Sequence, residues 1–140
     1  MELLEKCIAL ALEAHEGQVD KQGRPYILHP LYLMGQMDSP LEMMVAVLHD
    51  VVEDTALTLD DLAAIGVPGE ALEALALLTH DRDEQDYLSY VQALKNSRLA
   101  KKVKLADLAH NMDLRRIDNP TERDFARLRR YRQAWAMLTS

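Results

Sequence analysis

Apolar residues recur at helical spacing along nearly the whole chain, broken by short turn signals. From about Glu2 to Glu16, Leu4, Cys7, Ile8, Ala11 and Leu12 share one face, which predicts a first helix stopped by Gly17. Gln18 to Leu28 contains Gly23 and Pro25 and reads as a loop. A short helix follows His29-Pro30, since proline suits a first helical position. Ser39-Pro40-Leu41-Glu42 has the form of a capping box. It opens a stretch through Leu48 that is apolar on nearly every side, and a helix hydrophobic all round is a buried one. Further helices are predicted from Thr58 to Gly66, from Pro68 to Leu78, and from Asp81-Arg82-Asp83-Glu84 to about Leu94. The next runs from Asn96 or Ser97 to about Arg116, and the last begins at Asn119-Pro120-Thr121-Glu122. In that last helix Phe125, Leu128, Tyr131, Trp135 and Leu138 repeat at helical spacing and read as core. No strand alternation, internal repeat or low-complexity tract interrupts the pattern. The expectation is an all-α fold, one domain over residues 1–140, with about seven or eight helices.

Composition agrees. The chain has 140 residues, 49% of them hydrophobic, with five Gly and five Pro, enough for one well-filled core. A single cysteine, Cys7 among Ile8, Ala9 and Leu10, reads as a buried thiol, and a cytoplasmic location is expected. The start Met1-Glu2-Leu3-Leu4-Glu5-Lys6 has no basic leader, and no apolar run approaches the ~18–20 residues of a membrane span, so no membrane role is expected. Net charge is −7, but residues 1–90 carry 4 Lys/Arg against 18 Asp/Glu, and residues 91–140 carry 12 against 5. A basic patch for nucleic acid or phosphate is one reading of the second half; a basic C-terminal helix packed beside acidic neighbours is the favoured one. Overall acidity argues against a nucleic-acid partner, whose binding needs many phosphate contacts.

The chemistry lies in His29, His49-Asp50 and Asp107. Asp50 ends an apolar helix and Asp107 sits within Val103-Lys104-Leu105-Ala106-Asp107-Leu108-Ala109. A carboxylate in such surroundings is costly unless paired, hydrogen-bonded or bound to a cation. Two imidazoles and two carboxylates form a plausible ligand set for a divalent metal. If the helix continues through His49-Asp50-Val51-Val52-Glu53-Asp54, then Glu53 and Asp54 lie one turn beyond and can orient and deprotonate a water. Asn111 faces the same way as Asp107, four residues on. Lys104, Lys21 and Arg24 are candidate cationic contacts to phosphate. His15, His80 and His110 have no evident partner and read as core or surface residues. Met43, Met44 and Met112 read as core filling.

Four blocks occur in order: Ala14-His15-Glu16-Gly17-Gln18; Lys21-Gln22-Gly23-Arg24-Pro25-Tyr26-Ile27-Leu28-His29-Pro30; Leu48-His49-Asp50-Val51-Val52-Glu53-Asp54-Thr55; and Lys104-Leu105-Ala106-Asp107-Leu108-Ala109-His110-Asn111-Met112. Together they resemble the HD-superfamily metal-dependent phosphohydrolases, in particular the hydrolase domain of the RelA/SpoT proteins and its small stand-alone relatives. The resemblance spans roughly Ala9 to Met112. It implies a helical HD fold around one metal site, with His29, His49, Asp50 and Asp107 as ligands, usually to Mn²⁺. Glu53 and Asp54 are implied to activate water, and Lys21, Tyr26 and Asn111 to contact substrate. The implied reaction is attack of a metal-bound hydroxide on the phosphorus joined to the ribose 3′-oxygen of (p)ppGpp, with release of pyrophosphate. No synthetase activity is expected, because the chain ends before such a domain begins.

Three positions differ from the family pattern. Asp20 stands where an arginine commonly precedes Lys21, Leu108 where an arginine often follows the distal aspartate, and Leu114 where a small hydroxyl residue is frequent. The metal and hydrolytic positions are intact, while positions tied to reading the base and phosphates are altered. Two alternatives therefore stay open: an HD phosphohydrolase acting on another nucleotide or small phosphate ester, and a metal- or nucleotide-binding regulatory domain without turnover.

Overall fold

The computed structural model describes residues 2–140, and among these the chain is all-α, as expected. Nine α-helices form: α1 (Leu3–Ala14), α2 (Leu28–Gly35), α3 (Pro40–Leu48), α4 (Val51–Asp54), α5 (Leu59–Ala64), α6 (Gly69–Leu78), α7 (Tyr87–Leu94), α8 (Arg98–Asn111) and α9 (Glu122–Thr139), with a 3₁₀ turn at Leu114–Arg116. The centre is α3, which packs against α1, α2, α6 and α8. Val45, Ala46, Val47 and Leu48 are fully buried there, so the helix is surrounded as its sequence demands. Burying each larger aliphatic side chain stabilises the fold by roughly 1.5–3 kcal/mol. α8 packs against α2, α3, α6 and α9, which brings its Asp107 face toward α3. Cys7 and Ala11 of α1 are buried, whereas Leu12, assigned to the same face, is 55% exposed.

Local chemistry sets the boundaries. Ser39 Oγ accepts from the Glu42 amide at 3.2 Å and Pro40 occupies the first turn. The capping box is only half made, because Glu42 turns instead to the Asp38 amide and to Lys102. α7 begins at Tyr87 rather than Asp81. Asp81 Oδ1 accepts from the Asp83 and Glu84 amides in a turn of its own, and Asp86 takes over as the cap by accepting from the Ser89 amide. α8 stops at Asn111, five residues short of expectation, and Asp113 closes the following 3₁₀ turn on the Arg115 amide.

The break at His49-Asp50 matters most, because a single helix through Asp54 was expected. The His49 amide reaches only the Ala46 carbonyl, at 3.5 Å, and the His49 ring takes that same carbonyl through Nδ1 at 2.7 Å. The ring takes the carbonyl that the Asp50 amide would use in a continuous helix, and α4 restarts with Asp50 as its cap residue. This break raises the helix number above the expected seven or eight.

The aromatic stripe of α9 is corrected as well. Its buried positions are Asp124, Ala134 and Leu138; Phe125 and Trp135 are exposed, and Leu128 and Tyr131 line the cavity described below. Leu48→Ala should destabilise the protein by about 3 kcal/mol, since a fully buried leucine at the hub cannot be replaced by collapse of its neighbours. Urea unfolding followed by circular dichroism measures this directly.

Candidate metal centre and its cavity

α2 supplies His29, the α3–α4 junction supplies His49 and Asp50, and α8 supplies Asp107. Ligand atoms of His29, His49 and Asp50 lie within 4.8 Å of one another. Asp107 Oδ1 is 2.8 Å from His29 Nε2 and 3.7 Å from His49 Nε2. Residues 29 and 107, 78 positions apart, are thus in direct contact.

The donor set fits a divalent cation. The Ala46 carbonyl can only accept, so His49 Nδ1 carries a hydrogen, and a neutral His49 presents a bare lone pair at Nε2. That buried nitrogen has no hydrogen-bond partner among the described residues. Asp50 Oδ2 lies 3.0 Å away, but not along the ring's N–H direction. Burial alone would lower the His49 pKa, yet Asp50 and Asp107 outweigh it and raise it, so a proton is drawn to the place where a metal would sit. Burial likewise opposes ionisation of Asp107, but Lys104, His29 and His49 hold its carboxyl well below the usual range.

Partners lock each of these carboxylates. Asp107 Oδ2 accepts from Lys104 Nζ at 2.9 Å and Oδ1 from Asn111 Nδ2 at 3.0 Å. Tyr26 donates its hydroxyl to Asp50. Its burial and then the Asp50 charge push the Tyr26 pKa up, so it remains a donor. Glu53 Oε1 accepts from the His80 amide at 2.7 Å, and Arg82 lies 3.4 Å from Oε2. Asp54 lines the cavity from an exposed position; partial desolvation and then the Asp50 and Glu53 carboxylates push its pKa up to about 6.

These groups line one cavity of about 670 Å³, within the size range of small-molecule sites. Lys21, Tyr26, Lys104 and Asn111 line it, along with Arg82, Arg116, Arg127 and Arg130. Lys104 spends its charge on Asp107 and sits against the rings of Tyr87 and Tyr90, so it braces that carboxylate and is no free phosphate contact. Arg24 is a correction: it is absent from the cavity wall, and its guanidinium points to the Arg116 carbonyl at 3.4 Å. Asp20 lines the cavity, but its Oδ1 accepts from the Gln22 and Arg24 amides and ties the loop turn. Leu108 is fully buried core, while Leu114 lines the cavity. The Lys21 pKa is lowered by partial desolvation and then by Arg127, with Arg130 adding to it, so loop and α9 cations converge at the mouth. Part of the basic second half therefore closes over the acidic first half.

Reading the sequence did not find His80, His110 or the arginines of α9. His80 holds Glu53 through its backbone amide, a contact no side-chain pattern announces. His110 Nδ1 is 2.7 Å from His29 Nδ1; its place three residues after Asp107 on α8 was the available signal. Burial, Arg116 and His29 lower its pKa to about 4. His15 bonds Gln18 at 2.8 Å and lies beside Tyr26.

No family model matches the chain. It is 32% identical over 122 residues to the bifunctional (p)ppGpp synthase/hydrolase SpoT of Escherichia coli K12, covering 78% of this chain and 17% of that protein. A guanosine-3′,5′-bis(diphosphate) 3′-pyrophosphohydrolase of Haemophilus influenzae is 33% identical over 116 residues, 74% of this chain and 17% of its own length. The chain thus spans about a sixth of the length of these relatives. A solved structure of a metazoan SpoT ortholog, described as hydrolysing ppGpp, superposes with a TM-score of 0.79 at 23% identity and covers 99% of this chain and 84% of that one. It shares the fold.

In metal-free protein the Asp54 carboxyl should titrate at about 6, as followed by ¹³C NMR. Its folded value lies above the unfolded one, so ionising Asp54 works against the folded state as pH rises from about 4 through 6. A bound divalent cation favours the ionised form, so Zn²⁺ should move the midpoint down; an unchanged midpoint would contradict a cation held beside it.

Proposed function

We propose that this chain, a member of the HD-type RelA/SpoT hydrolase domains, is a metal-dependent pyrophosphohydrolase acting on (p)ppGpp or a nucleotide with a similar 3′-pyrophosphate. The reading extends to residues 1–140 as one such domain. The observation that carries it is the buried His49 Nε2, which has no hydrogen-bond partner among the described residues and faces Asp50 and Asp107 with His29 alongside. His29, His49, Asp50 and Asp107 would hold the cation, with Mn²⁺ proposed because the family resemblance implies it; Fe²⁺, Zn²⁺ and Ni²⁺ suit the same mixed imidazole and carboxylate ligands. A bound divalent ion lowers the pKa of water and offsets phosphate charge.

The chain's own residues supply the rest. Glu53, pinned by the His80 amide and Arg82, orients the attacking water. Asp54, whose carboxyl partial desolvation and the Asp50 and Glu53 charges push up to about 6 without a metal, accepts the proton of that water. Water oxygen bonds to the phosphorus, the P–O3′ bond breaks, and the ribose oxygen leaves with the electron pair and takes up a proton. Lys21, Arg82, Arg127 and Arg130 surround the phosphates at the mouth, and Tyr26 and Asn111 keep Asp50 and Asp107 aimed. Tyr131 and Leu128 offer the apolar wall a base needs.

A second substrate reading, another nucleotide or a small phosphate ester, is favoured by Asp20 and Leu108. Asp20 puts a carboxylate in the wall where the family commonly has an arginine, and Leu108 is committed to the core. The test is product analysis with Mn²⁺ and a panel containing ppGpp, NADPH and deoxynucleoside triphosphates. Release of pyrophosphate from ppGpp is expected, abolished by Asp50→Ala and slowed roughly 10²–10⁴-fold in kcat by Glu53→Gln. Turnover of a different ester with ppGpp untouched would replace the substrate and keep the reaction class. Metal binding with no turnover across the panel would instead favour a regulatory domain.

A further inference from the structure

We infer that His110 is a positioning residue that fixes which nitrogen His29 turns toward the metal site, an assignment that rests on the metal reading above. The two Nδ1 atoms are 2.7 Å apart, the ring planes differ by 5°, and the centroids are 4.9 Å apart. Rings that are parallel, with nitrogens in contact at this centroid distance, lie edge to edge in one plane. The contact is an in-line N–H···N hydrogen bond, not a face-to-face stack. Tyr32 covers the flat side of His110 at 4.0 Å and 13°, and Arg116 Nη1 donates to the His110 carbonyl at 2.9 Å. Ring plane and backbone are both held.

Two neutral imidazoles joined through Nδ1 share a single hydrogen on that line, so the tautomer of one dictates the tautomer of the other. When His29 gives its Nε2 lone pair to a cation, its hydrogen sits on Nδ1. His110 must then accept at Nδ1 and carry its own hydrogen on Nε2. Without a cation, Asp107 Oδ1, an acceptor 2.8 Å from His29 Nε2, draws the hydrogen to Nε2. The bond between the rings then reverses, with His110 as donor. Cation binding switches the tautomers of both rings with no net gain or loss of protons. Partners behind a metal-bound histidine are usually carboxylates, carbonyls or water. Here a second imidazole takes that place and can serve both directions.

The experiment uses Zn²⁺ as a diamagnetic probe on the full chain. Long-range ¹H–¹⁵N spectra of wild type should show His29 changing from Nε2–H to Nδ1–H on Zn²⁺ addition, and His110 changing from Nδ1–H to Nε2–H. Calorimetry should show His110→Phe, a ring without an acceptor, weakening Zn²⁺ about 10- to 100-fold. His110→Asn, whose amide oxygen can accept near the same point, should recover most of that loss. A His29 that keeps its hydrogen on Nε2 after loading overturns the assignment, as does His110→Phe with wild-type affinity or His110→Asn as weak as His110→Phe. The wild-type spectra decide the matter even if a variant fails to fold. Wild type that binds no Zn²⁺ would overturn the metal reading and this role together, whereas binding without the flip overturns this role alone.

Discussion

Buried charge at the junction of α3 and α8 is the constraint on which the rest of this molecule depends. His29, His49 and Asp107 are nearly inaccessible, and Asp50 lies against them. Isolated ions in such a place are expensive, and the available hydrogen bonds leave one imidazole nitrogen unmatched. Lys104 compensates one carboxylate from within α8 and Tyr26 donates to the other from the loop. The unmatched His49 Nε2, facing two carboxylates, is a donor set of the kind a divalent cation completes. A proton on His49 can replace that cation only partly, because the ring nitrogen does not point along a hydrogen bond to either acid.

The fold follows from serving that junction. α3 must be apolar all round because α1, α2, α6 and α8 all press on it, and its last turn must unwind for His49 to reach the Ala46 carbonyl. Unwinding turns Asp50 into the cap residue of a new short helix that presents Glu53 and Asp54 to the cavity. One hydrogen-bond substitution therefore links core packing to the placement of Glu53 and Asp54. On the far side, α9 brings arginines and Tyr131 to the mouth, so the basic end of the chain faces the acidic centre instead of open solvent alone.

Much of this was legible in the residues. Periodicity and caps located every main helix, with the start of α7 and the end of α8 off by five or six residues, and the four motif blocks contain His29, His49, Asp50 and Asp107, which meet at the centre. What escaped has physical causes. The helix break arises from a side chain competing for a backbone carbonyl, which helical spacing cannot register. Leu128 and Tyr131 were taken as core because apolar spacing tells that a face is covered, not whether protein or ligand covers it. Arg24 was placed among substrate contacts by its position in a basic loop, yet the turn tied by Asp20 carries it outward. His110 was passed over because its partner, His29, lies 81 residues away.

The central claim is that one divalent ion sits among His29, His49, Asp50 and Asp107. Crystals grown with Mn²⁺ and measured on both sides of the manganese absorption edge test it most directly. The account predicts a single strong anomalous peak within bonding distance of His29 Nε2, His49 Nε2 and both carboxylates. A fully occupied peak elsewhere, or a direct His49–Asp50 hydrogen bond with no ion between the four side chains, would contradict it.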